Sequence, residues 1–112
     1  MGHRRIHERE AFAALTGRRD RARSQFVSVR WRPGEAESAI RVAYSVSRRV
    51  GGAVVRNRIR RRLRAAMVEV APPPGDYLVT ASSAAADVAW AQLVADLARA
   101  VSSATAHAEV RP

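Results

Sequence analysis

Residues 39–81, AIRVAYSVSRRVGGAVVRNRIRRRLRAAMVEVAPPPGDYLVTA, decide the fold, because they read as strand, helix and strand in unbroken succession. From 39 to 47 the side chains alternate, with Ile40, Val42, Tyr44 and Val46 on one face and Arg41, Ala43, Ser45 and Ser47 on the other. The period then becomes helical: Val55, Ile59, Leu63, Ala66, Met67 and Val70 share one stripe, predicting an amphipathic helix to about Val70. Pro72-Pro73-Pro74-Gly75 stops it, and YLVTA (77–81) is a short apolar strand. Such a passage places its two strands parallel, or nearly so, in one sheet.

Working outward, FVSVRW (26–31) is another strand candidate, closed by the Pro33-Gly34 turn. Before it, GRRDRARS (17–24) reads as a basic loop or ragged short strand. Ile6 and Glu10–Leu15 make a short helix that Gly17 stops. Beyond the last strand, Asp87 is a candidate N-cap for a terminal helix. Its stripe is Trp90, Leu93, Val94, Leu97, Val101 and Ala104, leaving residues 105–112 as a frayed tail. The expected fold is an α/β (α+β) two-layer sandwich in one domain, residues 1–112, with the order α-β-β-(β)-α-β-α. Both later helices should cover the Tyr44 face, leaving the small, polar Ser45 face to the first helix and to solvent, with a groove between.

Charge is concentrated on the same segment. Eight of the seventeen residues from Arg48 to Arg64 are arginine, and the chain carries no lysine and no cysteine. Residues 1–64 hold eighteen arginines against five acids (+13), and residues 65–112 hold two against five (−3), which sums to the net +10. Arg56–Arg60, Arg60–Arg64 and Arg58–Arg62 are like charges one helical turn apart, each costing roughly 0.2–0.5 kcal/mol. Cations near a helix N-terminus also oppose its dipole. Phosphates would reverse both penalties, so a nucleic acid is the expected partner.

Chemistry by the polypeptide itself is poorly supported. His3, His7 and His107 stand near the ends, the acids are scattered, and no thiolate, Walker or dinucleotide motif is present. No stretch is long and apolar enough to cross a bilayer, and the expectation is no membrane partner and a cytoplasmic setting. Of the six aromatics, Tyr44, Tyr77, Trp90 and Phe26 are read as core, while Phe12 is balanced between core and surface.

At residues 40–67, IRVAYSVSRRVGGAVVRNRIRRRLRAAM resembles the signature of the bacterial ribonuclease P protein family: the Ser-Val-Ser strand end, two basic residues, Val-Gly, Ala-Val and the Arg-Asn-Arg block. Arg5-Ile6 with Phe12 resembles that family's first helix, Gln25-Phe26-Val27 its strand entry and Asp76–Val79 its last strand. The resemblance implies the protein subunit of a ribonucleoprotein endoribonuclease that removes the 5′ leader from precursor tRNA. Its partners would be the catalytic RNA and the leader, with Mg2+ held mainly by the RNA, no metal on this chain alone and a monomeric free protein. It implies RNA-facing roles for Arg48, Arg49, Arg56, Asn57, Arg58, Arg60, Arg61 and Arg64. It also implies a leader groove along Phe12, Val27 and Ser45, and a left-handed crossover through the basic helix. Thr16 in place of a second aromatic, Gly52 in place of asparagine and Ser82 in place of arginine depart from the family pattern. The main alternative is a ribosomal or other structural RNA-binding protein without processing activity.

Overall fold

The computed structural model describes the backbone of residues 4–5, 21–34 and 39–110 and the side chains of 21–34 and 39–106. Five strands form one sheet: β1 (Arg4–Arg5), β2 (Ala22–Arg23), β3 (Val27–Arg32), β4 (Ile40–Ser45) and β5 (Gly75–Ala81), in the order β1-β4-β5-β3-β2. β4 and β5 are parallel, as the strand–helix–strand reading requires, and β3 runs antiparallel to β5. Between them α1 spans Ala53–Val70, preceded by a 3-10 turn at Arg48–Val50; a second 3-10 turn at Ser83–Ala86 leads to α2, Trp90–Val110. The expected amino-terminal helix and Phe12 lie outside the described residues. Arg5, which the family resemblance assigned to that helix, instead belongs to β1, parallel to β4 opposite Val42.

The register sorts the sheet into two faces. On one, Val27, Val29 and Trp31 align with Ala81, Val79 and Tyr77, and these with Tyr44 and Val42. Ile59, Leu63, Ala66 and Met67 of α1 and Leu93, Leu97, Ala100 and Val101 of α2 bury against this face to form the core. Each of the larger side chains contributes about 1.5–3 kcal/mol by leaving water. The other face carries Ser28, Arg30 and Arg32, then Thr80, Leu78 and Asp76, then Ser45, Ala43 and Arg41.

Local chemistry sets the element ends. α1 ends at Ala71 in a left-handed conformation (φ 50°), whose N–H donates to the Met67 carbonyl, and three prolines follow. Gly75 (φ 139°) starts β5 where a Cβ would collide with the Trp31 ring and the Arg32 carbonyl. Two terminal expectations are corrected. Asp87 does not cap α2, which begins at Trp90 after Asp87 has closed the 3-10 turn. The helix also continues past Ala104 to Val110, with Thr105 buried and its hydroxyl donating to the Val101 carbonyl.

Candidate nucleic-acid interface

The buried stripe of α1 divides its arginines into two flanks with different fates. Towards the sheet edge, Asn57, Arg60, Arg61 and Arg64 join Tyr44 and Val54 around an open cleft of about 780 Å³. Arg60 Nη1 donates to Asn57 Oδ1 at 3.1 Å, and the Arg64 guanidinium stands 5.8 Å from the centroid of the Tyr44 ring. Arg56 begins this flank half-buried, and its Nε has no hydrogen-bond partner. No side chain caps the helix at Gly52 and no acid occupies its first turn, so its positive end is open. Arg48 and Arg49 are exposed on the preceding 3-10 turn, which Ser47 caps by accepting from the Arg49 N–H.

The opposite flank is largely structural. Arg62 donates to the carbonyls of Ala85 (2.6 Å) and Val88 (2.5 Å) and lies 5.9 Å from the Trp90 ring centroid. It ties α1 to the segment entering α2. Arg58 meets Asp87 at 3.5 Å, but both side chains are well exposed, so the pair is weak and leaves Arg58 available.

Of the sequence-predicted RNA-facing residues, one stretch of α1 therefore gathers Asn57, Arg60, Arg61 and Arg64, with Arg56 beside them. Arg48 and Arg49 lie just upstream, and Arg58 is on the other flank. The predicted leader groove fares differently. Val27 is 3% exposed in the core, on the face opposite Ser45, so these two do not line one sheet face. Alternation explains it: Val27 and Val29 share the apolar parity of β3, whereas Ser45 shares parity with Thr80 and Ser28. Ser28 and Thr80 hydroxyls bond one another at 2.5 Å. They line a cavity of about 230 Å³ together with Val27, Arg23, Phe26 and Ser82.

Two groups were missed in the sequence. Tyr44, assigned to the core, does pack against it, but it is only half-buried and also lines the arginine cleft; the signal for that second role was its position at the strand end, level with a basic helix. The Ser45 face is also more basic than β4 alone suggested, because β2 and β3 add Arg23, Arg30 and Arg32 to Arg41. Burial, and then the like charge of Arg21, pull Arg30 below the usual arginine range. Arg32 and Arg41 converge on buried Asp76, with Arg32 Nε at 3.1 Å and Arg41 Nη2 at 2.8 Å from Oδ2. Burial alone would raise Asp76, but the hydrogen bonds and charges of Arg41 and Arg32 hold it below the ordinary carboxylate range.

The donor set does not suit a metal ion. The cleft offers guanidinium groups, one amide and a phenol, while the buried carboxylates are already occupied, Asp76 by arginines and Asp96 by N–H and hydroxyl donors. Among the described residues no group of three or more acids, histidines or cysteines comes together. What the arrangement can do is hold phosphates by charge and forked hydrogen bonds.

The family model described as Ribonuclease P matches residues 1–105. The ribonuclease P protein component of Thermus scotoductus is 44% identical over 79 residues, 70% of this chain but 47% of that protein, so the chain spans about half the length of such relatives. The corresponding Streptomyces avermitilis protein is 39% identical over 104 residues, covering 83% of this chain and 85% of its own length. In fold, the chain matches a mutant Staphylococcus aureus RNase P protein with TM-score 0.78 at 24% identity, over 90% of this chain and 87% of that one. The Thermotoga maritima RNase P protein matches with TM-score 0.74 at 19% identity, over 87% and 94%.

Proposed function

This chain belongs to the ribonuclease P protein family, and from that premise we propose that it is the protein subunit of the ribonucleoprotein that removes the 5′ leader from precursor tRNA. The observation that carries the reading is the convergence of Asn57, Arg60, Arg61 and Arg64 on one cleft beside an uncapped helix N-terminus. That surface holds catalytic RNA by its backbone, with Arg48, Arg49, Arg56 and Arg58 extending the contact. Reducing phosphate repulsion lets the RNA bind substrate and magnesium more tightly; the metal stays with the RNA, where phosphate oxygens supply the hard ligands that this cleft lacks. Family membership is consistent with a magnesium-dependent ribonucleoprotein.

The leader runs along the arginine-bearing Ser45 face, past Ser28, Thr80 and Ser45, with Phe12 as a further candidate contact outside the described residues. Val27 supports this path from the core. Among the described residues no helix is long and apolar enough to cross a membrane, and we place the assembly in the cytoplasm with a monomeric protein subunit.

Reconstitution with the cognate catalytic RNA at low magnesium tests this. Precursor tRNA affinity should rise with leader length in the presence of the protein, while mature tRNA affinity changes little. A structural RNA-binding protein would show no leader-length effect. Cleavage by the polypeptide free of RNA would contradict the assignment of chemistry to the RNA.

A further inference from the structure

Phosphate binding alone does not account for the cleft beside α1. Its walls mix the arginines with two groups suited to a base: the Tyr44 ring, and Val54, which is 82% exposed in the first turn of the helix. At about 780 Å³ the cleft is within the size range of small-molecule sites and has room for a nucleotide. Arg64 lies against the Tyr44 ring at 5.8 Å, a cation–aromatic contact that helps set the ring plane. The Tyr44 hydroxyl makes no hydrogen bond among the described residues. Burial pushes its pKa up to about 12, against the pull of Arg64, so it remains a neutral donor and acceptor at physiological pH. Asn57 has its oxygen engaged by Arg60, which leaves its amide nitrogen to donate outward.

We propose that this cleft receives one unpaired base of the RNA partner, packed on Val54 and against the stacked Tyr44–Arg64 pair, with the flanking phosphates held by Arg60 and Arg61. The inference rests on the RNA-binding reading above and deepens it, adding a single-nucleotide site to an electrostatic surface. A continuous double helix presents phosphates but no base face, so the site selects a looped-out or single-stranded nucleotide. Tyr44 and Asn57 then read the base edge, while the arginines remain indifferent to sequence.

The test compares the wild-type protein with Tyr44→Leu, Tyr44→Phe, Arg60→Ala and Arg61→Ala, each bound to the cognate catalytic RNA. Binding is measured across a salt series, and the RNA bases are mapped by base-specific chemical probing. Tyr44→Leu should weaken binding roughly tenfold with an unchanged salt slope, in line with base–aromatic stacking. One unpaired base protected by the wild-type protein should become reactive in the same variant. Tyr44→Phe should keep the protection, and Arg60→Ala should lower the salt slope instead. Wild-type affinity and protection in Tyr44→Leu overturn the single-base site while leaving the electrostatic reading intact. The absence of any protected unpaired base in the wild-type complex overturns it whatever the variants do. Wild-type affinity and salt slope in Arg60→Ala and Arg61→Ala alike would remove the RNA reading itself, and this inference with it.

Discussion

Arg60 and Arg62 are two residues apart with the same side chain, yet their surroundings give them different work. Arg60 faces an open cleft and donates to Asn57, whereas Arg62 is consumed by the Ala85 and Val88 carbonyls and the Trp90 ring. Helical periodicity separates the two flanks, but it does not say which flank meets α2; that depends on contacts more than twenty positions away. Tyr44 was hidden for a related reason, since alternation assigns a face but not where along the strand the covering helix leaves an opening. Arg62→Ala should destabilise the protein by about 2 kcal/mol, from two lost charge-assisted hydrogen bonds and one ring contact. Denaturant unfolding measures this, and the salt slope of RNA binding should remain that of the wild type. A lowered slope with unchanged stability would place Arg62 on the RNA instead.

Among elements, those with strong periodicity were the ones legible in advance. β4, α1 and β5 stand close to where their patterns put them, because long apolar stripes leave little choice of register. β1 and β2 are two-residue strands, of Arg4–Arg5 and Ala22–Arg23, and exist through their partners β4 and β3 with no apolar alternation of their own. The start of α2 was misplaced because Asp87 looks locally like a cap, while Arg62 engages the carbonyls of the preceding turn from outside it. The end of α1 provides a test at this scale. Ala71 occupies a left-handed position that glycine adopts without steric cost, so Ala71→Gly should stabilise the protein by about 0.5–1 kcal/mol. A lower thermal midpoint for that variant would mean that the Ala71 side chain contributes packing that this account omits.

For the whole molecule, the helix layer is tied to the sheet by one buried carboxylate, Asp96, as well as by apolar contact. Asp96 of α2 is 0% exposed and accepts from the Ser24 hydroxyl (2.7 Å) and the N–H groups of Gln25 (2.9 Å) and Phe26 (2.7 Å), holding the turn into β3. Burial would raise its pKa, but the bonds from Phe26, Ser24 and Gln25, with Arg99, outweigh burial and lower it, as the arginines do for Asp76. Both folded values lie below those of the unfolded chain. The stability these groups supply is therefore present above about pH 4 and lost as pH falls through the folded values. Unfolding midpoints should drop steeply below about pH 4, and Asp96→Asn should be less stable at pH 7 by about 2–3 kcal/mol with a shallower acid limb. An unchanged acid limb would remove Asp96 from the titration.

On the proposed function, the sheet-edge flank of α1 holds RNA through its charge. The salt dependence of catalytic-RNA affinity tests it most directly, comparing wild type with the Arg60→Ala/Arg61→Ala double variant. Each arginine that contacts a phosphate should contribute roughly 0.7–0.9 to the slope of log affinity against log salt. The double variant should therefore lose about 1.5 from that slope while its thermal stability is retained. A wild-type slope in a folded double variant would contradict the claim.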